Sequence, residues 1–329
     1  MRIAINGLGR IGRPVLKLCL QNRMKVVAIN DLATPEVLAY LLKYDSVYGR
    51  YNEKVSFGEN YIKVGKRKIR VYSETDPEKL PWERLRVDAV VESTGKFKTR
   101  EEAYKHILAG AKKVVISAPS PNPDATIVPG VNDQDYHKVY EIFSLGSCTT
   151  NCLAPVAKVL DQEFGITKGF MTTVHAYTND QNILDLAHKK LRRTRAAGIN
   201  IIPTTSGATE SVVAVLPQLK GRLDGLALRV PVACGSIVDF VAQLQNPATV
   251  KRINNAFERA ANKEMKGILQ YNEDEIVSSD IIGNPHSSIF DSTLTQVIGG
   301  EGHLVKVFSW YDNEFGYSNR MVDFLKKLR

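Results

Sequence analysis

Residues 2–20 have the sequence RIAINGLGRIGRPVLKLCL, and this stretch decides the fold class of the first half of the chain. The apolar run Met1–Asn6 predicts a short buried strand, and Arg10–Gln21 predicts a helix whose apolar residues share one side. A glycine-rich turn joins the two directly. A strand that leads through such a turn into a helix is typical of the start of a doubly wound α/β sheet.

The glycines of this turn have the spacing of a dinucleotide-binding motif. Gly7, Gly9 and Gly12 fit GxGxxG between a predicted strand and a predicted helix, the context that the motif requires. The first glycine permits the tight turn, the second lets the backbone approach a pyrophosphate, and the third lets the helix pack on the strand. The N–H groups at the helix start carry partial positive charge and attract the phosphates.

Asp31 follows the next predicted strand, Lys25–Ile29, and lies about 20 residues beyond the glycine turn. A carboxylate in this place accepts hydrogen bonds from the hydroxyls of a ribose, whereas the 2′-phosphate of NADP would bring like charge against it. The residue therefore predicts NAD as the cofactor.

The patterns of strands and helices differ between the two halves. Residues 87–93 and 112–118 are unbroken, β-branched runs, as expected of strands buried on both faces, so the first half predicts a Rossmann-type, doubly wound parallel sheet. Beyond about residue 150, longer segments favour an α+β domain with a mostly antiparallel sheet. The predicted strands there are Phe170–Tyr177, Ala227–Val232, Ser236–Gln243 and His303–Tyr311, and the predicted helices are Asn151–Glu163, Ser206–Leu216 and Pro247–Asn262.

We expect three segments in the domain organisation. Residues 1–147 form the dinucleotide-binding domain, residues 148–312 form a catalytic domain, and residues 313–329 form a C-terminal segment that packs back on the first domain. The last segment contains Ser318–Leu328, which has a capping residue and the apolar spacing of an amphipathic helix.

The composition is that of a globular protein with a basic excess. Hydrophobic residues make up 43% of the 329 residues, charged residues make up 24%, and the formal net charge is +9. No apolar run reaches the roughly 20 residues that span a bilayer, and the N-terminus lacks the layout of a signal peptide. We therefore expect a cytoplasmic protein without a membrane segment. Its positive charge attracts anions such as phosphorylated metabolites, dinucleotides or nucleic acid.

The four cysteines predict neither a disulfide framework nor a metal site. Cys19, Cys148, Cys152 and Cys234 are few and scattered, and no second Cys/His pair stands at ligand spacing, so we expect no metal. Cys148 differs from the others because polar residues surround it and a predicted helix begins just after it. The start of a helix stabilises a thiolate, which makes Cys148 the candidate nucleophile.

His175 follows an apolar strand and is the candidate base. A histidine at the end of a strand also serves as an ordinary structural residue, and sequence spacing alone does not pair it with Cys148. The residues by themselves leave this choice open.

Six motifs, in unbroken order along the chain, resemble those of the phosphorylating glyceraldehyde-3-phosphate dehydrogenase family. They are INGLGRIGR (5–13), AIND (28–31), SCTTNCLAP (147–155), HAYT (175–178), LRVP (228–231) and WYDNE (310–314). The resemblance implies that Cys148 attacks the aldehyde of glyceraldehyde 3-phosphate while His175 takes the thiol proton. It further implies that NAD accepts the hydride, that inorganic phosphate releases the thioester as 1,3-bisphosphoglycerate, and that the protein is a homotetramer with the region from Asp180 to about Ile202 packed between subunits.

The resemblance also assigns binding residues. Besides the glycines and Asp31, the residues implied for the cofactor are Arg10, Ile11, Thr94, Ser117 and Asn313. Thr178 and Arg229 are implied for the substrate's own phosphate. The attacking phosphate is implied to contact Ser147, Thr149, Arg193, Ser206 and Gly207, with Arg195 as the alternative to Arg193 in the basic cluster 188–195. Thr75 replaces the family's usual basic residue near the adenine, and Ala187 replaces a common proline, which leaves room for partial use of NADP.

Two other functions remain open on the sequence. An erythrose-4-phosphate dehydrogenase has the same fold and a similar cysteine and histidine, but it hydrolyses its thioester and would not need inorganic phosphate. A basic nucleic-acid-binding protein would use the positive surface in a salt-sensitive way. No motif in the chain is of the kind that reads bases, so we expect no specific nucleic acid partner.

Overall fold

The computed structural model describes residues 1–328, which form two compact units. The first unit contains residues 1–127, 134–146 and the chain from Ser318 onward. The second unit contains residues 128–133 and 147–317. Each unit is built around its own sheet, so the two are described separately.

The first unit has a mixed sheet in the order β10-β11-β9-β8-β1-β2-β7-β6-β5, with β3 and β4 as a separate hairpin. All neighbours from β10 to β7 are parallel, and β7, β6 and β5 are antiparallel. The strands are β1 Arg2–Asn6, β2 Lys25–Asn30, β3 Tyr44–Asp45, β4 Gly49–Arg50, β5 Val55–Gly58, β6 Tyr61–Val64, β7 Arg67–Tyr72, β8 Ala89–Glu92, β9 Lys113–Ile116, β10 Ala125–Thr126 and β11 Ile142–Ser144. The helices are α1 Gly12–Gln21, α2 Pro35–Lys43, α3 Trp82–Leu85 and α4 Arg100–Leu108.

This sheet confirms the predicted doubly wound architecture. Strand β1 lies between β2 and β8, so the strand order reverses beside it. In open sheets of this kind a crevice forms at the carboxyl ends of the strands where the order reverses, and ligands bind there. The glycine turn that follows β1 stands at that edge.

The glycines of the turn are required by close contacts. Gly7 has φ +89°, and a Cβ on it would lie 2.8 Å from the backbone nitrogen of Thr94. A Cβ on Gly12 would lie 2.0 Å from the carbonyl oxygen of Gly7. Helix α1 begins at Gly12 with Ile11 as its N-cap, so the predicted start at Arg10 was two residues early. Arg10 and Ile11 therefore belong to the glycine turn that precedes the helix.

A buried polar network lies beneath the turn. The Glu92 carboxylate accepts hydrogen bonds from Nδ2 of Asn6 at 2.6 Å and from Thr94, both from its backbone N–H and from its hydroxyl. Nε2 of His106 lies 3.0 Å from the same carboxylate, and Nδ1 of His106 accepts from the indole N–H of Trp82 at 2.9 Å. Because Nδ1 is an acceptor, Nε2 carries the ring proton and donates a hydrogen bond to the Glu92 carboxylate. The network joins β1, β8, α3 and α4.

The second unit has a mostly antiparallel sheet in the order β13-β14-β12-β15-β18-β17-β16, as predicted. Only the β12–β14 and β16–β17 pairs of this sheet are parallel in the described chain. The strands are β12 Ile166–Ala176, β13 Ile202–Thr205, β14 Leu223–Val230, β15 Ser236–Thr249, β16 Leu269–Asn272, β17 Ser288–Val297 and β18 Glu301–Tyr311. The helices are α5 Cys148–Phe164, α6 Ala208–Val215 and α7 Val250–Asn262, and their apolar faces share one core with the sheet.

Four further predicted helix starts need correction. Helix α6 begins at Ala208 and not at Ser206, because Gly207 is its N-cap. Helix α5 begins at Cys148 and not at Asn151, because Ser147 caps it. Helix α7 begins at Val250, since β15 continues through Pro247 after a register shift and pairs with β18 up to Thr249. The C-terminal helix, α8 Phe315–Lys327, begins three residues before the predicted start. Within the first unit its Phe324 ring packs against Phe143, with ring centroids 5.1 Å apart.

Candidate active site

The first turn of α5 positions Cys148. The Ser147 hydroxyl accepts a hydrogen bond from the Thr150 backbone N–H at 3.0 Å, while the Thr150 hydroxyl accepts one from the Ser147 N–H at 3.2 Å. This reciprocal capping box fixes the start of the helix, so Cys148 is its first residue and is half-buried. The sulfur therefore lies at the positive end of a helix that has 17 residues.

His175 reaches Cys148 from strand β12. Its Nε2 lies 3.4 Å from the Cys148 sulfur, and only 3% of the residue is exposed. Its ring stands edge-on to Tyr311 of β18, with centroids 5.8 Å apart. The structure therefore brings together the two residues that sequence spacing alone did not pair. A thiol with an imidazole nitrogen at this distance has a base within reach of its proton.

Burial favours the neutral form of both groups. Burial raises the pKa of Cys148, and the Arg229 charge and the Thr149 and Cys148 backbone N–H groups partly oppose this effect. Burial and the Arg229 charge lower the pKa of His175 to about 3. At neutral pH one of the two imidazole nitrogens thus has a lone pair, and burial opposes loss of the thiol proton. The buried Cys19 and Cys152 differ in kind, since burial raises each of their pKa values to about 12.

Arg229 is the third member of this group. The parallel pairing of β12 with β14 sets His175 opposite Arg229. Nη1 of Arg229 lies 2.8 Å from Nδ1 of His175 and donates to the Ala176 carbonyl oxygen at 2.9 Å. Sequence comparison with the family implied Arg229 as a phosphate ligand and gave no sign of its contact with the base.

Tyr311 was missed as a site residue, although it lies in one of the six motifs. Its hydroxyl forms 2.8 Å hydrogen bonds with the hydroxyls of Thr149 and Thr173. The predicted phosphate ligand Thr149 is thus held by Tyr311 and is only 4% exposed. The alternation of β18 places Tyr311 on the buried face, and that pattern was a signal in the sequence that could have identified it.

Of the basic cluster, Arg193 lies nearest to this chemistry. It is 8% exposed, donates from Nε to the Thr204 hydroxyl at 3.0 Å, and pairs with Asp180. The positive charge of Arg193 contributes to the lowered pKa of His175. The pKa of Arg193 is itself lowered, mainly by burial and then by the charge of Arg229. Arg195 is exposed and pairs with Asp185 at 3.0 Å.

The other predicted phosphate ligands have local contacts. The Ser206 hydroxyl accepts from the Ala208 N–H at 3.2 Å, and Gly207 is the N-cap of α6. The Thr178 N–H donates weakly to the Gln181 side chain at 3.4 Å. These contacts fix the turns that carry the three residues, and the structure does not join them directly to Cys148.

Asn313 is linked to the residue after the base. Its side-chain oxygen accepts from the Gly235 N–H and from the Ser236 hydroxyl, both at 3.1 Å, and the Ser236 oxygen accepts from the Ala176 N–H at 3.1 Å. The carboxamide is 5% exposed and its oxygen is occupied by these donors.

The first unit contains a cavity of about 260 Å³ at the glycine turn. Four predicted cofactor residues line it, namely Gly7, Gly9, Asp31 and Thr94. Asp31 is fixed there by the N–H groups of Leu8 and Ala33, at 2.7 and 3.0 Å. A Cβ on Gly9 would meet no atom within 4 Å, so the space beside its backbone is open for a ligand. The residues present fit a dinucleotide.

Two further predicted cofactor residues of the first unit have other contacts. Arg10 forms an ion pair with Asp45 at 2.6 Å, and the Ser117 N–H donates to the Glu92 carbonyl oxygen at 2.9 Å. Asn30, Glu74 and Lys96 line the cavity as well and were not predicted. Thr75 also lines it, where the family usually has a basic residue.

Known proteins resemble the chain over almost its whole length. Residues 1–100 match the family model described as glyceraldehyde 3-phosphate dehydrogenase, NAD binding domain, and residues 147–313 match the model of the C-terminal domain of the same enzyme. The NAD-binding domain predicted from the glycine turn is therefore present, with NAD as the cofactor.

Relatives named glyceraldehyde-3-phosphate dehydrogenase come from several bacteria. Those of Geobacillus stearothermophilus and Streptomyces coelicolor are each 55% identical, over 98% of this chain and 96% and 97% of their own. That of Borreliella burgdorferi is 52% identical over 100% of this chain and 99% of its own. Since these similarities extend through both units and all six motifs, this chain belongs to the glyceraldehyde-3-phosphate dehydrogenase family.

Proposed function

We propose that this protein oxidises D-glyceraldehyde 3-phosphate to 1,3-bisphosphoglycerate with NAD and inorganic phosphate, as a glycolytic or gluconeogenic enzyme. In this proposal residues 1–147 bind the cofactor, residues 148–312 carry out the chemistry, and residues 313–329 pack on the first domain. The single observation that carries the proposal is the 3.4 Å contact between the Cys148 sulfur and Nε2 of His175 at the start of α5.

The chain's own groups account for the covalent steps. The Cys148 sulfur adds to the aldehyde carbon while Nε2 of His175 takes the thiol proton, which gives a thiohemiacetal. The Cys148 backbone N–H and the imidazolium stabilise the oxygen that becomes negative. Loss of hydride from the same carbon leaves a thioester on the sulfur, and NAD, when bound, supplies the hydride acceptor. Inorganic phosphate, as HPO₄²⁻, then adds to the thioester carbon and releases its proton to solvent. The sulfur leaves as thiolate, and the imidazolium returns the proton to it.

One assay separates this function from its alternatives. The absorbance of reduced nicotinamide is followed with glyceraldehyde 3-phosphate and with erythrose 4-phosphate, each with and without inorganic phosphate. We expect turnover that needs phosphate and prefers the three-carbon substrate. Undiminished turnover without phosphate, or preference for erythrose 4-phosphate, would instead identify the sister enzyme. Absence of any turnover, together with salt-sensitive binding of nucleic acid, would favour the nucleic-acid-binding alternative.

The phosphate sites give a second prediction. We propose that Arg229 binds the substrate's phosphate, with Thr178, and that Arg193 binds the attacking phosphate, with Ser147, Thr149, Ser206 and Gly207. A charge-assisted hydrogen bond contributes about 1.5–3 kcal/mol. Arg229→Ala should therefore lower kcat/KM by about one to two powers of ten more for glyceraldehyde 3-phosphate than for unphosphorylated glyceraldehyde. Arg193→Ala serves as the comparison, because it should mainly raise the KM for inorganic phosphate. Equal losses with both aldehydes would refute the Arg229 assignment.

A third prediction concerns discrimination between NAD and NADP. The Asp31 carboxylate lies in the cavity and repels a 2′-phosphate, so Asp31→Asn should reduce the preference for NAD. Ala187 lies on an exposed loop where relatives commonly have proline, and Ala187→Pro should increase the preference. Both are measured as the ratio of kcat/KM for the two cofactors, and Asp224→Asn, an exposed carboxylate, is the charge-matched control. Better use of NADP than of NAD by the unaltered protein would overturn the assignment.

We further propose a cytoplasmic homotetramer. The segment from Asp180 to about Ile202 exposes large apolar side chains, among them Ile183 at 88%, Leu191 at 84% and Ile199 at 82%. Apolar surface of this extent is normally covered by a partner, and a second copy of the chain is the usual partner in symmetric oligomers. Among residues 1–328, no helix has both the length and the apolar character needed to cross a membrane. Light scattering on the purified protein measures the number of subunits.

A further inference from the structure

The carbonyl oxygen of Ala176, Nδ1 of His175 and Nη1 of Arg229 lie close together, but their three possible hydrogen bonds cannot all form at once. Nδ1 of His175 lies 2.6 Å from the Ala176 oxygen and 2.8 Å from Nη1 of Arg229, and Nη1 lies 2.9 Å from the same oxygen. A neutral imidazole has one donor and one acceptor nitrogen. Nδ1 can therefore donate to the carbonyl or accept from Arg229, but it cannot do both.

The two choices differ at the sulfur. If Nδ1 accepts from Arg229, the ring proton is on Nε2 and faces the Cys148 sulfur, so no lone pair is directed at the thiol. If Nδ1 donates to Ala176, Nε2 presents its lone pair to the thiol and can take the proton. Only the second form is the base that the proposed reaction needs. Arg229 stabilises the first form, because its N–H group can donate only to a lone pair on Nδ1, whereas the 2.6 Å contact with the Ala176 oxygen stabilises the second.

We propose that Arg229 restrains His175 in the ligand-free enzyme and that a phosphate monoester, by binding to Arg229, releases His175 to act as the base for Cys148. This inference rests on the proposed function, in which the phosphate of the substrate binds to Arg229. The aldehyde substrate would thus activate the nucleophile that attacks it.

The charges around His175 support this role. The groups that face the ring are the Cys148 thiol from α5, the Tyr311 phenol from β18, Arg229 from β14, and Arg193 from the 3₁₀ turn Leu191–Thr194. Burial raises the pKa of Tyr311 well above its usual value, so the phenol stays neutral. Both charged neighbours are therefore cations, and Arg229 is in contact. Proton transfer from sulfur to ring would place a second positive charge against Arg229, which like-charge repulsion opposes. The same charge stabilises the thiolate that the transfer leaves on Cys148, but Arg229 is in hydrogen-bond contact with the ring and acts on the sulfur through its charge.

The side chain of Arg229 also has an unused donor. Its Nε is buried and makes no hydrogen bond within the described residues. Buried polar groups are nearly always paired, and each unpaired one calls for an explanation. An anion that approaches the guanidinium would satisfy Nε and draw the fork of donors away from Nδ1. The geometry thus suits an Arg229 side chain with two positions. In one it donates to Nδ1 of His175, and in the other it donates to an anion.

The test measures the thiolate of Cys148 through its ultraviolet absorbance, with Cys148→Ser as the background. Glycerol 3-phosphate is the probe, because it has the phosphate monoester but no aldehyde, and its binding is measured separately by calorimetry. Near neutral pH we expect it to raise the thiolate-to-thiol ratio about tenfold, which corresponds to one pKa unit. Arg229→Gln should abolish the response to the probe. Because it also removes a charge that lowers the pKa of Cys148, its thiolate ratio is compared with that of Arg229→Gln/His175→Asn, and the part of the ratio that depends on His175 should be larger than in the protein with Arg229. In His175→Asn the probe should have no effect on the absorbance.

A matched control removes the same charge elsewhere. Arg192 is exposed and lies in the same 3₁₀ turn as Arg193, so Arg192→Gln should leave the thiolate ratio unchanged. An equal rise in this variant would attribute the effect to net charge and overturn the proposal.

Two further outcomes are decisive. If the part of the thiolate ratio that depends on His175 is unchanged or lower in Arg229→Gln, or if glycerol 3-phosphate binds the unaltered protein without raising the ratio, Arg229 does not restrain His175. Failure of glycerol 3-phosphate to bind would refute the proposed substrate-phosphate site instead, and the Arg229→Gln arm would still decide the restraint.

Discussion

Replacement of Cys148 by serine is expected to lower kcat by several powers of ten, to about the level that binding alone supports. The hydroxyl of serine would occupy the same place at the start of α5. It is a far weaker nucleophile, and His175 alone would have to activate a group that releases its proton much less readily than a thiol. The thioester that phosphate must attack would also be replaced by a less reactive ester. The measurement is single-turnover and steady-state formation of reduced nicotinamide.

Alkylation provides an independent check on the same residue. Iodoacetamide should label Cys148 much faster than Cys152 or Cys19, which are fully buried and whose pKa values burial raises to about 12. Cys152→Ser is the matched control, because it removes a thiol one helical turn away and should keep both turnover and the labelling of Cys148. Near-normal turnover in the Cys148→Ser protein would exclude the covalent mechanism.

The second large effect is expected at His175. Replacement by asparagine keeps a polar side chain but removes the lone pair near the sulfur, and general base assistance contributes roughly 10²–10⁴-fold. Turnover should fall by that factor, and the double variant with Cys148→Ser should be little worse than Cys148→Ser alone, because the two act as a unit. The rates of the single and double variants are compared in one assay.

The rate of Cys148 alkylation is expected to depend on pH in a direction that follows from the pKa shifts of Cys148 and His175. Burial and Arg229 lower the pKa of His175 to about 3, so without ligand the ring stays neutral throughout the range in which the protein is assayed. The thiol, whose pKa burial raises, then loses its proton only as the pH rises. Alkylation should therefore increase with pH in both proteins, and near neutrality it should be slower in His175→Asn when glycerol 3-phosphate is bound. Equal turnover, with NAD binding unchanged, would assign the base to another residue.

The sequence predicted the binding residues of the first unit more completely than the contacts of the active site in the second unit, and the reason is physical. In the first unit the motif is local. Gly7, Gly9, Gly12 and Asp31 lie within one strand–helix–strand unit, so spacing alone places them around one cavity. In the second unit the partners are distant. His175 and Cys148 meet only because β12 packs beneath α5, and the neighbour of the base, Arg229, follows from a parallel strand pairing that no pattern in the sequence specifies.

The starts of helices and the hydrogen bonds of the site were less predictable from the sequence than the presence of the helices and strands. The helix that carries the nucleophile was placed three residues late, because its start depends on the side chains of Ser147 and Thr150 and not on apolar spacing. Tyr311 was assigned to a strand but not to the site, since its role depends on hydrogen bonds with Thr149 and Thr173 from two other elements. The ion pair of Arg193 with Asp180 likewise depends on how a loop folds back.

The pairing of β12 with β14 limits which kinds of genetic change this site tolerates. His175 stands opposite Arg229, and successive residues of a strand point to opposite faces of the sheet. Deletion of one residue within β14 would place Leu228 or Val230 opposite His175 and turn the arginine to the other face. Single-residue insertions and deletions are therefore excluded from both strands, although substitutions are not. Changes of length in this lineage are expected in the segments that join the strands, where they leave the register intact.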